Sequence, residues 1–311
     1  MNLIQEKYQL MARGGVEWIE CPGFSRIPWM LQAFSLRRGR VCRAPAAGLN
    51  LGFTLQAKRT EVEENRRRFF GQLGAERFTH AFLRQTHSST VYQVARDASG
   101  NLEYQLAGIS VPPPLSGPQP EGDALLTDQP GLLLSVRTAD CLPVLLVDPR
   151  QRAVAVVHAG WRGALARIVE KAVGEMRRLF GSQPEDLLAA LGPSIRVCCY
   201  EVGQEVVDAF RGCFAHDEKF FRRDPAASGP ARAAAAPLSS LSLHPPGHAA
   251  APAARLDLVA VAEEQLVCAG LRAANIQTVP FCTACRTDLF FSHRKEGSLT
   301  GRMLAVIGIR P

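Results

Sequence analysis

Apolar and polar positions follow one another along this chain in two rhythms. Leu132–Val136, Val144–Val147 and Ala153–Val157 are apolar runs with no polar face, and they predict strands buried on both sides. After the last of them, Leu165, Ile168, Val169, Ala172, Val173, Met176 and Leu179 recur at helical spacing, which predicts a helix over Ala164–Phe180. Thr60-Glu-Val-Glu63 has the form of a capping box opening a helix that ends near Gly74. A further helix is expected from Asp257 to Ala269, stopped by Gly270, with strands near Ile276–Val279 and Met303–Ile307. Phe82–Val94 reads as a strand-like run broken by a polar kink at His87, and the Gly- and Pro-rich stretch 97–122 reads as a long connection. Strand and helix signals alternate without an internal repeat, which predicts a mixed α/β sandwich whose strand directions the pattern does not encode.

Composition narrows the class. With 311 residues, 47% hydrophobic and 21% charged, the chain can bury one sizeable core or two small ones. Residues 224–254 depart from this, being dominated by Ala, Pro, Ser and Gly; they read as a low-complexity, flexible insertion, with His244 and His248 as bystanders. No apolar run reaches the ~18 residues of a membrane span, and Met1–Tyr8 lacks the layout of a secretory signal. Nine cysteines, an odd number without a regular framework, point to a reducing compartment, so the expected location is the cytoplasm. The net charge of +7 is spread over separate groups such as Arg37, Arg38 and Arg40, Arg66–Arg68, and Arg222 and Arg223. That distribution suits solvated faces and a mildly positive pocket for phosphate better than nucleic acid.

The chemistry concentrates where strands end. His158 closes an apolar run and faces the start of the next helix across Gly160 and Gly163, which allow backbone to approach a ligand. Asp140 and Cys141 fall in a short break between two strands, and His87 sits on the kink. Two imidazoles and a thiolate suit zinc, and three protein ligands leave a fourth position open, as in catalytic sites. No local pair of ligands fixes this set, and each residue also suits a structural role. Pro280-Phe-Cys-Thr-Ala-Cys285 resembles part of the nucleobase deaminase signature, but no Glu follows His158 at the required spacing and Phe281 stretches the motif, which excludes that fold. Cys282 and Cys285 have Cys198 and Cys199 as companions for a second metal, with small buried thiols as the simpler expectation.

A series of ordered motifs spans residues 30 to 310: Asn50-Leu-Gly52, Gln85-Thr-His87, Gly122-Asp-Ala-Leu-Leu-Thr127, Thr138-Ala-Asp-Cys141, His158-Ala-Gly-Trp-Arg-Gly163, Leu191-Gly-Pro-Ser-Ile195, Cys199-Tyr-Glu-Val-Gly203, Cys282-Thr-Ala-Cys285, Phe290-Phe-Ser-His-Arg294 and Thr300-Gly-Arg302. In these the chain resembles the YfiH-type family, historically labelled multicopper polyphenol oxidase or laccase-domain proteins and described as purine nucleoside phosphorylases with adenosine deaminase activity. The resemblance implies an α+β fold with a mixed sheet flanked by helices. It implies one catalytic domain over residues 30–310, with residues 1–29 as an N-terminal extension and 224–254 as an insertion. It places the metal ligands at His87, Cys141 and His158, with zinc as the expected ion and copper as the alternative. Two motifs depart from the family pattern: Leu36-Arg-Arg-Gly-Arg40 lacks a Thr and a second Gly, and His293 replaces an aromatic.

These residues define the expected chemistry. Zinc lowers the pKa of a bound water to about 7, which would serve attack at C6 of adenosine. Asp140 is the candidate proton shuttle or orienter, with turn capping as its structural alternative. Phosphorolysis of adenosine, inosine or methylthioadenosine calls for cationic clamps, for which Arg162, Arg294, Lys295 and Arg302 are candidates. Asn50 and Asp123 are candidates for substrate binding, although turn formation accounts for both. The expected partners are purine nucleosides and phosphate, with neither nucleic acid nor membrane, and a monomer or weak homodimer. A multicopper oxidase would need many imidazoles, and the chain has seven histidines, four of them (His80, His216, His244, His248) outside the strong motifs. A peptidoglycan-precursor editing amide hydrolase is the third reading.

Overall fold

The computed structural model describes residues 8–39, 48–54, 57–106, 108–111, 119–223 and 254–311. The chain begins with β1 (Gln9–Arg13), β2 (Val16–Glu20), α1 (Pro22–Ser25), β3 (Met30–Ser35), α2 (Arg59–Leu73) and β4 (Thr79–Ala81). Next come β5 (Val91–Arg96), β6 (Leu102–Leu106), β7 (Ile109–Val111), β8 (Ala124–Thr127), β9 (Leu132–Thr138), β10 (Leu142–Asp148) and β11 (Ala153–Ala159). Then follow α3 (Trp161–Leu165), α4 (Ile168–Phe180), β12 (Leu188–Leu191), β13 (Glu201–Val202), α5 (Gln204–Phe210) and β14 (Phe221–Arg222). The last elements are β15 (Ala254–Leu256), α6 (Leu258–Cys268), β16 (Ile276–Thr278), α7 (His293–Glu296) and β17 (Met303–Ile309). Apart from Ala254, the 224–254 stretch expected as an insertion lies outside the described residues.

The strands form a six-stranded sheet, ordered β1-β2-β3-β17-β9-β4, and an eight-stranded sheet, ordered β16-β12-β10-β11-β8-β5-β6-β7; β13, β15 and β14 make a small third sheet. Both large sheets are mixed: most pairs are antiparallel, while β4·β9, β5·β8 and β12·β16 are parallel. Alternation of side chains explains why the central strands are apolar throughout. Leu145, Val147, Val154 and Val156 from one sheet meet Leu134, Val136, Ala305 and Ile307 from the other in a shared core. The opposite faces pack Val144, Leu146, Ala155 and Val157 under α3, α4 and α6, and Leu133, Leu304 and Val306 under α2. The result is a four-layer sandwich with helices outside two sheets.

The expected helix over 164–180 is two helices. Arg167 between them adopts a left-handed backbone (φ 59°). Gln265 of α6, itself buried, serves the groups freed at the break: its Nε2 donates to the Ala164 carbonyl (2.7 Å) and its Oε1 accepts from Val169 N (3.2 Å). The face of α4 that carries Ile168, Val169, Val173 and Met176 is buried as its spacing predicted, each side chain contributing ~1.5–3 kcal/mol. The capping box at Thr60 is absent, because α2 starts at Arg59 and Lys58 takes the cap position without a side-chain bond. Its other end is as expected, Gly74 closing it at φ 68°. Asp257 caps α6 by accepting from Val259 N and Ala260 N. Part of the connection over 97–122 is the β6–β7 hairpin, which extends the larger sheet.

Among the described strands the chain passes between the two large sheets four times: β4 to β5, β8 to β9, β9 to β10, and β16 to β17. Three of these crossings carry the residues singled out above.

Candidate metal centre

His87 lies on the β4–β5 crossing, Cys141 ends the β9–β10 crossing, and His158 sits near the end of β11, beside β10 in the larger sheet. The structure brings all three together: their ligand atoms lie within 4.8 Å of one another, and Cys141 Sγ is 3.7 Å from His87 Nε2. Gly160 is necessary to this approach. A Cβ there would stand 2.8 Å from His87 Cδ2 and 3.2 Å from Cys141 Sγ, so the ring and thiol close over bare backbone.

One carboxylate organises the group. Asp123, fully buried just before β8, accepts from His158 Nδ1 (2.8 Å), Thr86 N (3.2 Å), His87 N (3.1 Å), Ser88 N (2.6 Å) and Ser88 Oγ (2.7 Å). This web holds His87 in a left-handed backbone (φ 60°), a conformation that costs a non-glycine residue ~1–3 kcal/mol. It also commits Nδ1 of His158 to donation, leaving Nε2 for a metal. Burial alone would raise the Asp123 pKa, but the bonds from His158 and Ser88 outweigh it and hold the group below its usual value.

Asp140 performs a parallel task beside Cys141. It too is left-handed (φ 97°) and buried; Oδ1 accepts from Thr283 Oγ1 and Oδ2 from Arg294 N, both at 2.6 Å. Its carbonyl accepts from Ile195 N at 2.8 Å. The crossing that carries Cys141 is thereby tied to the segments that follow β12 and β16.

Charge favours an ionised thiol. Burial opposes it, yet the positive His158 and hydrogen bonds from His158 and His87 bring Cys141 down to about 6. Burial likewise opposes a charge on His158, but the Cys141 thiolate and the Asp123 carboxylate raise it to about 9. A soft anionic donor and two imidazoles fit a divalent metal of the zinc type.

The remaining predicted residues surround this group in different ways. Asn50 Oδ1 accepts from Gly52 N (3.0 Å) and Arg302 N (2.8 Å), fixing the turn before the final strand. Arg302 precedes Met303, which pairs with Thr138, so it stands beside the Asp140 crossing. Burial lowers its pKa against the pull of Cys141 and Asp140. The exposed guanidinium of Arg294 lies over the Tyr200 ring (5.3 Å), and that of Arg162 over Trp161 (4.3 Å). Sequence reasoning missed three groups. Tyr200 shares its electrostatic surroundings with Cys141, Asp140, Arg294 and Arg162, and burial followed by the Cys141 charge pushes its hydroxyl pKa up. Arg66 and Arg137 are half-buried and form a row of like charges with Arg302: burial and then repulsion from Arg137 lower Arg66 to about 10, and burial and then repulsion from Arg302 lower Arg137. The run Arg66–Arg68 was legible only as a charged helix face, and spacing along α2 gave no sign that Arg66 turns inward to donate to Leu51 O.

Comparison with known proteins places the chain in a family. Residues 31–310 match the family described as "Multi-copper polyphenol oxidoreductase laccase". The chain belongs to this YfiH-type, laccase-domain family. Within it, a protein named purine nucleoside phosphorylase YlmD from Geobacillus stearothermophilus is 31% identical over 303 residues, 97% of each chain. One named adenosine deaminase RL5, from an unknown prokaryotic organism, is 34% identical over 275 residues, 88% of this chain and 91% of the other. The crystal structure of YfiH from Bacillus licheniformis superposes with TM-score 0.77 at 26% identity, covering 98% of this chain and 100% of that one. That likeness matches the mixed sheets and flanking helices expected for the laccase-domain family. Among the described residues no helix is long and apolar enough to cross a membrane.

Proposed function

We infer that this chain is a zinc-dependent purine nucleoside enzyme, cleaving adenosine, inosine or methylthioadenosine with phosphate to free base and ribose 1-phosphate, and deaminating adenosine. The observation that carries the reading is the convergence of His87, Cys141 and His158 in front of the buried Asp123. The names of the relatives support the substrate class. A zinc ion on three protein ligands supplies Lewis acidity and activation of water at neutral pH.

The chain's own residues supply the rest. Asp123 fixes the His158 tautomer through Nδ1, and Asp140, both of whose oxygens are engaged, positions Cys141. Arg66, Arg137 and Arg302 have no carboxylate within ion-pair distance among the described residues, which leaves positive charge for phosphate. Tyr200 keeps its proton at neutral pH and is the donor we assign to the departing base, with Arg294 stacked over it to hold the ring. The eight described cysteines are free thiols, which suits a reducing, cytoplasmic setting.

The family's multi-copper description does not extend to the donors present. Outside the group, the described histidines are dispersed: His80 packs on Phe70 (3.9 Å between centroids), His216 lies beside Glu218, and His293 opens α7. Several coppers would need more clustered imidazoles than these.

The deciding experiment incubates protein of known metal content, and His158→Ala, with adenosine or inosine in the presence and absence of phosphate. Mass spectrometry is expected to find inosine, free base and ribose 1-phosphate only with the intact site. No turnover despite stoichiometric zinc would overturn the reading.

A further inference from the structure

A second set of side chains able to hold a metal lies on the segments after β12 and β16 and takes no part in the chemistry above. The Sγ atoms of Cys198, Cys199, Cys282 and Cys285 all lie within 4.8 Å of one another. Cys285 Sγ is 3.6 Å from Cys198 Sγ and 3.3 Å from Cys199 Sγ. These are nonbonded distances, well beyond the ~2.05 Å of a disulfide. Zinc–sulfur bonds of ~2.3 Å arranged tetrahedrally set sulfurs about 3.8 Å apart, close to the spacing present. An iron–sulfur cluster interposes several atoms between its thiolates and demands a wider set, so the geometry selects a single ion.

The surroundings are those of a preformed site. The two segments are joined by a backbone bridge from Ser194 to Cys282 and by Thr283 N donating to Ser194 O (3.0 Å). Only Cys282 is buried, whereas Cys198 and Cys285 are exposed, so burial as small apolar groups does not explain the cluster and an ion has a path in. Burial and then the neighbouring thiols push Cys199 up to about 11, whereas backbone N–H groups of Arg196 and Cys285 overcome burial to bring Cys282 down.

We propose that Cys198, Cys199, Cys282 and Cys285 form a structural four-thiolate site for zinc, separate from the His87–Cys141–His158 group. The ion clamps the segment after β12 to the segment after β16. Both segments border the first group: Cys199 precedes Tyr200, and Cys282 precedes Thr283, which bonds Asp140. The site is a positioning device, and it stands whether or not the nucleoside reading does.

The test is metal analysis of the full chain purified under reducing conditions. Two zinc ions per chain are expected, falling to one in Cys198→Ser/Cys285→Ser and to one in His158→Ala. Titrating cobalt(II) into Cys141→Ser protein, whose first group has lost its thiolate, is expected to give the intense thiolate-to-cobalt absorption of a tetrahedral four-sulfur site. This second measurement leaves the four cysteines intact, so it does not depend on the double variant folding. A single zinc whose amount is unchanged by the double substitution, no such absorption, or a Cys199–Cys285 disulfide in reduced protein would each overturn the proposal.

Discussion

Asp123→Asn changes one atom of the side chain and should undo the centre. The carboxylate receives five hydrogen bonds on two oxygens: Oδ2 from Thr86 N, Ser88 N and Ser88 Oγ, Oδ1 from His87 N and His158 Nδ1. An amide offers one acceptor oxygen. If that oxygen takes the Oδ2 side, the NH2 group faces two donors, and two charge-assisted bonds at ~1.5–3 kcal/mol each are lost. With one of them replaced by a neutral amide-to-Nδ1 bond of ~0.5–1.5 kcal/mol, we expect the metal-free variant to be about 2–5 kcal/mol less stable in urea unfolding. The second consequence is chemical. Facing an NH2 group, His158 must accept at Nδ1 and carry its proton on Nε2, the atom needed for the metal. Loss of such an outer partner costs ~10–100-fold in metal affinity, readable by competition with a chelator of known affinity. A variant within ~1 kcal/mol of the parent, and binding zinc within twofold, would refute the assignment of Asp123 as the organiser.

Metal binding should release protons in a defined window. At pH 7 Cys141, near 6, is already a thiolate, while His158, near 9, is charged and must lose its Nε2 proton, so about one proton is expected per ion at this site. Calorimetry of Cys198→Ser/Cys285→Ser protein in buffers of differing ionisation enthalpy measures it, and release near zero contradicts the pairing. In metal-free protein the raised His158 contributes stability below its unfolded value of 6.5 that is lost as pH rises through about 9. The lowered Cys141 contributes stability above its unfolded 9.0 that is lost as pH falls through about 6. Between 6.5 and 9.0 the two slopes oppose one another, so this pair should leave the melting temperature level, whereas Cys141→Ser removes the rising contribution and should leave stability falling with pH as His158 titrates. Gly160→Ala should fold but bind zinc roughly tenfold or more weakly, because its Cβ displaces the His87 ring; equal zinc content at limiting metal is the contrary result. Arg137→Gln should raise the KM for phosphate roughly tenfold, about 1.4 kcal/mol, and leave deamination unchanged; equal loss of both rates would remove it from the phosphate site.

The candidate trio was legible mainly through the family resemblance; Cys141 and His158 also fall at strand ends that the apolar runs mark, whereas His87 lies in mid-crossing, six residues past β4. The organiser was harder: Asp123 reads as an ordinary turn former, and its five partners become neighbours only when β8 lies between β5 and β11. Arg167 was unreadable as a helix break, since the Gln265 that stabilises the break lies about a hundred residues further on in α6. The β6–β7 hairpin was hidden for a different reason, its apolar positions being few and Ile109 remaining exposed. The four thiols looked like separate pairs because only the return of the chain after β16 closes the set.

His87 and Cys141 both lie on stretches where the chain leaves one sheet for the other. Yet the strands that bring the donors together, β5, β8, β11 and β10, are consecutive neighbours in the larger sheet, so the three converge once that sheet is complete. The β5·β8 pairing is parallel and joins residues distant in sequence, so it forms slowly. Metal uptake should then await closure of the larger sheet rather than docking of the second layer.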